Sequence, residues 1–126
     1  MAKVLIVEDN PANMTLATFL LQSAGHTVLS ARDAETGLAL ARVEQPDLVL
    51  MDIQLPGMDG LEATALLKSD RSTRAIPVIA LTALAMKGDE QRILAAGCDG
   101  YIAKPLAYKD FLATISAQLV KAPLYG

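Results

Sequence analysis

Leu48-Val49-Leu50-Met51-Asp52-Ile53-Gln54-Leu55-Pro56-Gly57-Met58-Asp59-Gly60 is the stretch on which the reading of this chain turns. An apolar run ends abruptly in one carboxylate, and a loop carrying proline and glycine follows. A run of that length bounded by turn residues suits a strand buried on both faces, as in a parallel sheet. Asp52 then stands where the strand leaves the core, and Pro56, Gly57 and Gly60 carry the chain away. A carboxylate in that position is expensive to desolvate unless cations or donors meet it. The remaining residues must therefore supply what meets Asp52.

Working outward, a strand-like run followed by a helix-like segment recurs on both sides. Val4-Leu5-Ile6-Val7 reads as the first strand and Pro11 to Ala24 as its helix, with Pro11 suited to the first turn and Gly25 to the stop. Thr27 to Ser30 is a weaker strand, expected at a sheet edge. Asp33 caps a helix running to about Glu44, and Pro46 blocks its continuation. Beyond the central stretch, Asp59 with Glu62 three residues on has the form of a capping box for a helix through Lys68. Pro77 to Leu81 is the fourth strand, Met86 to Ala96 a helix ending at Gly97, and Gly100 to Ala103 a short fifth strand. Tyr108, Leu112, Ile115 and Leu119, spaced four, three and four, give the last helix its apolar stripe. Five such alternations predict an α/β sandwich around a parallel sheet with right-handed crossovers. Ligands of such sheets bind beyond the carboxyl ends of the strands.

Composition bounds the function. At 126 residues, 52% hydrophobic and 20% charged, the chain has a globular composition and enough material for one core. One domain over residues 1–122 is expected, with a short tail at 123–126 and no output domain. The net charge of -3 argues against nucleic-acid and anionic-membrane partners. Cys98 is the single cysteine; it excludes an internal disulfide, fits a reducing cytoplasm, and reads as a small structural residue. The first apolar run is too short for a signal peptide or a membrane span. A cytoplasmic monomer is the expectation. His26, the only histidine, reads as a surface residue rather than a phosphoryl carrier.

The strand ends hold the chemistry. The first strand ends in Glu8 and Asp9, the third in Asp52, the fourth in Thr82, and Lys104-Pro105 follows the fifth. Three carboxylates, one hydroxyl and one ammonium would converge on one edge of the sheet. Three acids repel one another, and an oxygen-rich set with no His or Cys favours Mg²⁺ over zinc. One carboxylate can then attack phosphorus and form an aspartyl phosphate. Lys104, the Thr82 hydroxyl and backbone N–H groups near Ile53 and Ala83 are the candidates for stabilising the equatorial oxygens.

Glu8-Asp9, Met51-Asp52-Ile53-Gln54-Leu55-Pro56-Gly57-Met58-Asp59-Gly60, Leu81-Thr82-Ala83 and Lys104-Pro105, in this order and each at a strand end, resemble the receiver domain of two-component response regulators over essentially the whole chain. The Ile79 to Glu90 stretch resembles stand-alone regulators of the DivK type and receivers of hybrid histidine kinases. The resemblance implies a flavodoxin-like, CheY-like (βα)5 doubly wound fold with a five-stranded parallel sheet in the order 2-1-3-4-5. It implies a signalling module rather than an enzyme of general turnover, with Asp52 accepting phosphoryl from a phosphohistidine. Asp9, Asp52 and the main-chain carbonyl of Gln54 would hold Mg²⁺, with Glu8 reaching it through water. Lys104 would pair with the phosphate and be joined to Pro105 by a cis bond, Thr82 and Ala83 would meet the phosphoryl group, and Tyr101 would turn inward behind Thr82. Partners would be a histidine kinase, a histidine phosphotransfer protein, or a downstream protein regulated by contact. Gln54 and Leu84 fall where the family tunes phosphate lifetime, and Leu106 and Ala107 replace a polar cap for the last helix. Excess apolar residues on the first helix suggest a docking patch for the donor around Pro11 and Met14.

Two rivals are of other classes. A metal-dependent aspartyl phosphohydrolase would place an acid two residues after its nucleophile, where this chain has Gln54, which cannot transfer protons. A flavodoxin-like cofactor binder would need a donor-rich phosphate loop, where this chain presents Glu8-Asp9-Asn10-Pro11.

Overall fold

The computed structural model of the protein describes residues 2–83 and 87–121. Ten elements alternate along the chain: β1 (Lys3–Val7), α1 (Pro11–Ser23), β2 (Thr27–Ala31), α2 (Ala34–Glu44), β3 (Leu48–Asp52), α3 (Gly60–Ser69), β4 (Val78–Thr82), α4 (Lys87–Ala95), β5 (Gly100–Ala103) and α5 (Tyr108–Lys121). The strands form one parallel sheet in the order β2-β1-β3-β4-β5. The expected fold class and strand order are those observed, with β2 at an edge.

Alternation along each strand divides the core into two layers. Val4 and Ile6 of β1, Leu48 and Leu50 of β3, and Ile79 and Leu81 of β4 pack with Ala17, Leu20 and Leu21 of α1 and with Phe111 and Ile115 of α5. The intervening residues Leu5, Val7, Val49, Met51, Val78 and Ala80 pack on the other side, with Leu38 of α2, Leu67 of α3 and Ile93 of α4. All five residues of β3 and all five of β4 are buried, which explains their unbroken apolar reading. Asp52, at the end of β3, is 3% exposed.

The helix ends follow local chemistry. Asn10 caps α1, its side-chain oxygen accepting from the N–H groups of Ala12 and Asn13, with Pro11 in the first turn, where a missing N–H costs nothing. Asp33 accepts from Thr36 N–H at α2 and Asp59 from Glu62 N–H at α3. Gln45 stops α2 in the left-handed region with φ 48°. Gly25, with φ 90°, follows α1 where an L side chain would be strained.

The last helix departs from expectation. Tyr108, assigned to the apolar stripe, is 57% exposed, whereas Phe111 and Ile115 are fully buried and Leu112 and Leu119 pack partly against the same core. Tyr108 opens the helix beyond the sheet's reach, so the stripe begins one turn later, at Phe111. The start expected for α4, Met86, lies outside the described residues, as do Leu84, residue 122 and the expected tail at 123–126.

Candidate functional site

The strand alternation that divides the core also assembles the site. Glu8, Asp52 and Lys104 continue the same parity as Ile6, Leu50 and Ile102, which face α1 and α5. β1 and β3 run in register with Val7 beside Met51, so Glu8 and Asp52 emerge side by side. Asp52 pairs with Leu81, Leu81 with Ile102, and Thr82 with Ala103. Lys104 therefore leaves the sheet two residues above the level of Asp52, within reach of a long side chain. Its N–H donates to the Thr82 carbonyl at 2.7 Å, and its bond to Pro105 is cis.

The Lys104 ammonium lies 2.8 Å from Glu8 Oε1 and 3.2 Å from Asp52 Oδ2. Asp52 Oδ1 accepts from Gln54 N–H at 2.9 Å, and Glu8 Oε2 accepts from Asn10 N–H at 3.2 Å. Carboxylate oxygens of Glu8, Asp9 and Asp52 lie within 4.8 Å of one another. These residues, with Asn10, Pro11, Asn13, Gln54 and Ala83, line an open cleft of about 500 Å³. Thr82 is buried at the end of β4, one residue before Ala83.

Electrostatics match the crowding. Burial pushes the Glu8 carboxyl above its ordinary value, and the neighbouring Asp52 carboxyl adds to the rise; Lys104 and the Asn10 N–H oppose it. Burial works against the Lys104 charge, but Glu8 and Asp52 outweigh it and hold the ammonium above its ordinary value. Glu8 Oε1 is buried and, the ionic contact with Lys104 apart, accepts no hydrogen bond among the described residues. One ammonium thus serves a pair of buried acids, which leaves room for a further cation.

One expected donor is spent. The Ile53 N–H bonds the Leu81 carbonyl at 3.2 Å as a continuation of the sheet, and the N–H that reaches Asp52 is that of Gln54. Tyr101 is 37% exposed on β5 and lines a separate groove with Lys104, Pro105 and Asp110. Pro11 is exposed; Met14 is half-buried and packs on the core, while the outer face of α1 shows Leu16 and Phe19, the latter 66% exposed. Asn10 and Asn13 were not singled out from sequence as site residues, and Gly60 was read only as a turn residue. An Asn before a Pro that opens an apolar helix is a recognisable cap signal; nothing in the spacing marks Asn13.

The sequence pattern of the response regulator receiver domain matches residues 4–116. The chain belongs to that family. It is 51% identical over 116 residues to the polar-differentiation response regulator DivK of Brucella ovis, covering 92% of this chain and 94% of that one. Among solved structures, the receiver domain of a sensor histidine kinase from Pseudomonas aeruginosa, with a magnesium ion coordinated in its active-site cleft, shares 34% identity at a TM-score of 0.88, over 94% of this chain and 98% of that one. A CheY-like receiver domain protein from Methanospirillum hungatei shares 32% identity at a TM-score of 0.90, over 100% and 99% of the two chains. This receiver domain is therefore a phosphoryl-accepting signalling protein of the two-component type. Nothing found favours the phosphohydrolase, and Gln54 on the cleft wall offers no acid for it. Among the described residues no helix is long and apolar enough to cross a membrane.

Proposed function

We propose that Asp52 is the phosphoryl acceptor of this receiver domain and that its donor is the phosphohistidine of a histidine kinase or histidine phosphotransfer protein. The observation that carries the reading is the placement of Asp52, buried at a strand end, between the Lys104 ammonium and the Gln54 N–H. In the step, an Asp52 oxygen forms a bond to phosphorus, the bond from phosphorus to the donor imidazole breaks, and its electron pair stays with the imidazole nitrogen. The Gln54 N–H orients the carboxylate by holding Oδ1. Lys104 offsets the charge brought by the phosphoryl group, and Thr82 and Ala83 would meet its oxygens.

The donor set fits a hard divalent cation: oxygens only, with a single ammonium shared between the buried Glu8 and Asp52 carboxylates. Asp9, Asp52 and the Gln54 carbonyl would hold Mg²⁺, with Glu8 linked through water. When bound, it supplies positive charge that relieves the repulsion among the acids and among the phosphoryl oxygens. The magnesium named for the Pseudomonas receiver supports that choice.

Phosphorylation then biases a two-state surface: Thr82 moves toward the phosphoryl group and Tyr101 turns inward from its exposed position. The receiver acts in the cytoplasm as a monomer, either relaying phosphoryl or binding a regulated partner. The donor docks over the start of α1, around Pro11 and Met14. Brief incubation with candidate labelled kinases and Mg²⁺ tests the reading. Labelling that requires Mg²⁺ and disappears in Asp52→Asn supports it; equal labelling of Asp52→Asn overturns it.

A further inference from the structure

Asn13 occupies the first turn of α1, half-buried, and is among the residues lining the acidic cleft. On the α1 side of the cleft, neither Asn10 nor Pro11 offers an uncommitted side-chain oxygen. The Asn10 side-chain oxygen is held by the N–H groups of Ala12 and Asn13, and Pro11 has no N–H to offer. The carboxamide of Asn13 itself makes no hydrogen bond among the described residues. A polar group that lines a cleft without an internal partner is available to whatever enters. In-line displacement fixes what that is. With Asp52 attacking from the floor, the leaving group must depart on the opposite side of phosphorus, toward the open side of the cleft, which α1 flanks.

We propose that Asn13 is a specificity-determining residue for phosphotransfer, contacting the leaving group of the phosphodonor through its neutral carboxamide. This rests on Asp52 being the acceptor. As a donor, the carboxamide accommodates a leaving group that gains negative charge; as an acceptor, it accommodates one that starts positive. Two small donors separate these cases. Acetyl phosphate loses acetate: the bond from phosphorus to the carboxyl oxygen breaks and the electron pair leaves on that oxygen as a negative charge. Phosphoramidate loses ammonia: the phosphorus–nitrogen bond breaks and its pair neutralises the nitrogen, which was ammonium in the zwitterion.

The test uses Asn13→Asp and Asn13→Ala in the full chain with Mg²⁺. Both suit the first turn of a helix, where an acid is favoured by the helix dipole, so the fold is kept. Asn13→Asp should slow labelling by acetyl phosphate relative to phosphoramidate by roughly three- to tenfold, the effect of one unit charge several ångströms away in a wet cleft. Asn13→Ala should lower both rates with a smaller change in their ratio, and leave Mg²⁺ affinity, read by calorimetry, at the wild-type value. An unchanged donor ratio in Asn13→Asp would overturn the assignment. So would a loss of Mg²⁺ affinity in Asn13→Ala matching an equal loss with both donors, since that places Asn13 with the metal instead. Asp52→Asn is the separate control. If it still labels, the acceptor reading fails; if it does not and the ratio stays fixed, only the role of Asn13 fails.

Discussion

Gly60, the first residue of α3, lies so close to the Asp52 peptide that a Cβ at position 60 would overlap the Asp52 carbonyl oxygen and come within 2.7 Å of Ile53 Cα. Its N–H donates to the Ile53 carbonyl at 3.3 Å. The loop after β3 is thus closed against the strand end that carries the acceptor.

Gly60→Ala must move either α3 or the end of β3. We expect a loss of about 1–3 kcal/mol in stability, the range for overpacking a tight site, and slower labelling of Asp52 by acetyl phosphate. Urea unfolding with a parallel labelling assay reads both. Wild-type values in both would show that the contact positions nothing.

Lys104→Ala leaves Glu8 and Asp52, both nearly fully buried, without their common cation. Removing one partner of a buried ionic cluster costs about 3–5 kcal/mol. In chelator the variant should lose stability on that scale, and Mg²⁺ should restore more of it than it adds to the wild type. Equal Mg²⁺ stabilisation of both proteins would contradict the cation-exchange picture.

His26 is partly buried, and its Nδ1 accepts from the Ala2 N–H at 3.1 Å. Burial lowers its pKa, with the N-terminal charge adding to the fall. The unfolded chain then binds this proton more readily than the folded one. Its contribution to stability is complete above the ordinary value of 6.5 and declines as pH falls through the window between 6.5 and the lower folded value. Titration of the imidazole by proton NMR should give a midpoint below 6.5; one at or above it would contradict the buried acceptor.

Much of this was legible in the sequence for a physical reason. Strands buried on both faces, such as β3 and β4, must be continuously apolar, so a carboxylate or hydroxyl that ends the run marks the rim of the sheet. Asp52, Thr82 and the Glu8-Asp9 pair stand out on that ground alone. Tertiary contacts were not legible. That Tyr108 is exposed while Phe111 is buried depends on where α5 meets the sheet, which a four-three-four spacing does not fix. That Ile53 spends its N–H on Leu81 depends on how far the β3–β4 ladder continues, and that Asn13 reaches the cleft depends on how α1 leaves β1. Gly60 read as a turn residue; its close approach to Asp52 could come only from packing.

The central claim is that Asp52 takes the phosphoryl group. Borohydride reduction of the freshly phosphorylated chain converts the acyl phosphate to an alcohol, turning the modified aspartate into homoserine, which peptide mass spectrometry locates. Homoserine at position 52 alone, absent from unphosphorylated controls, is the predicted result. Homoserine at Asp9 or at another aspartate, with position 52 unchanged, would contradict the account.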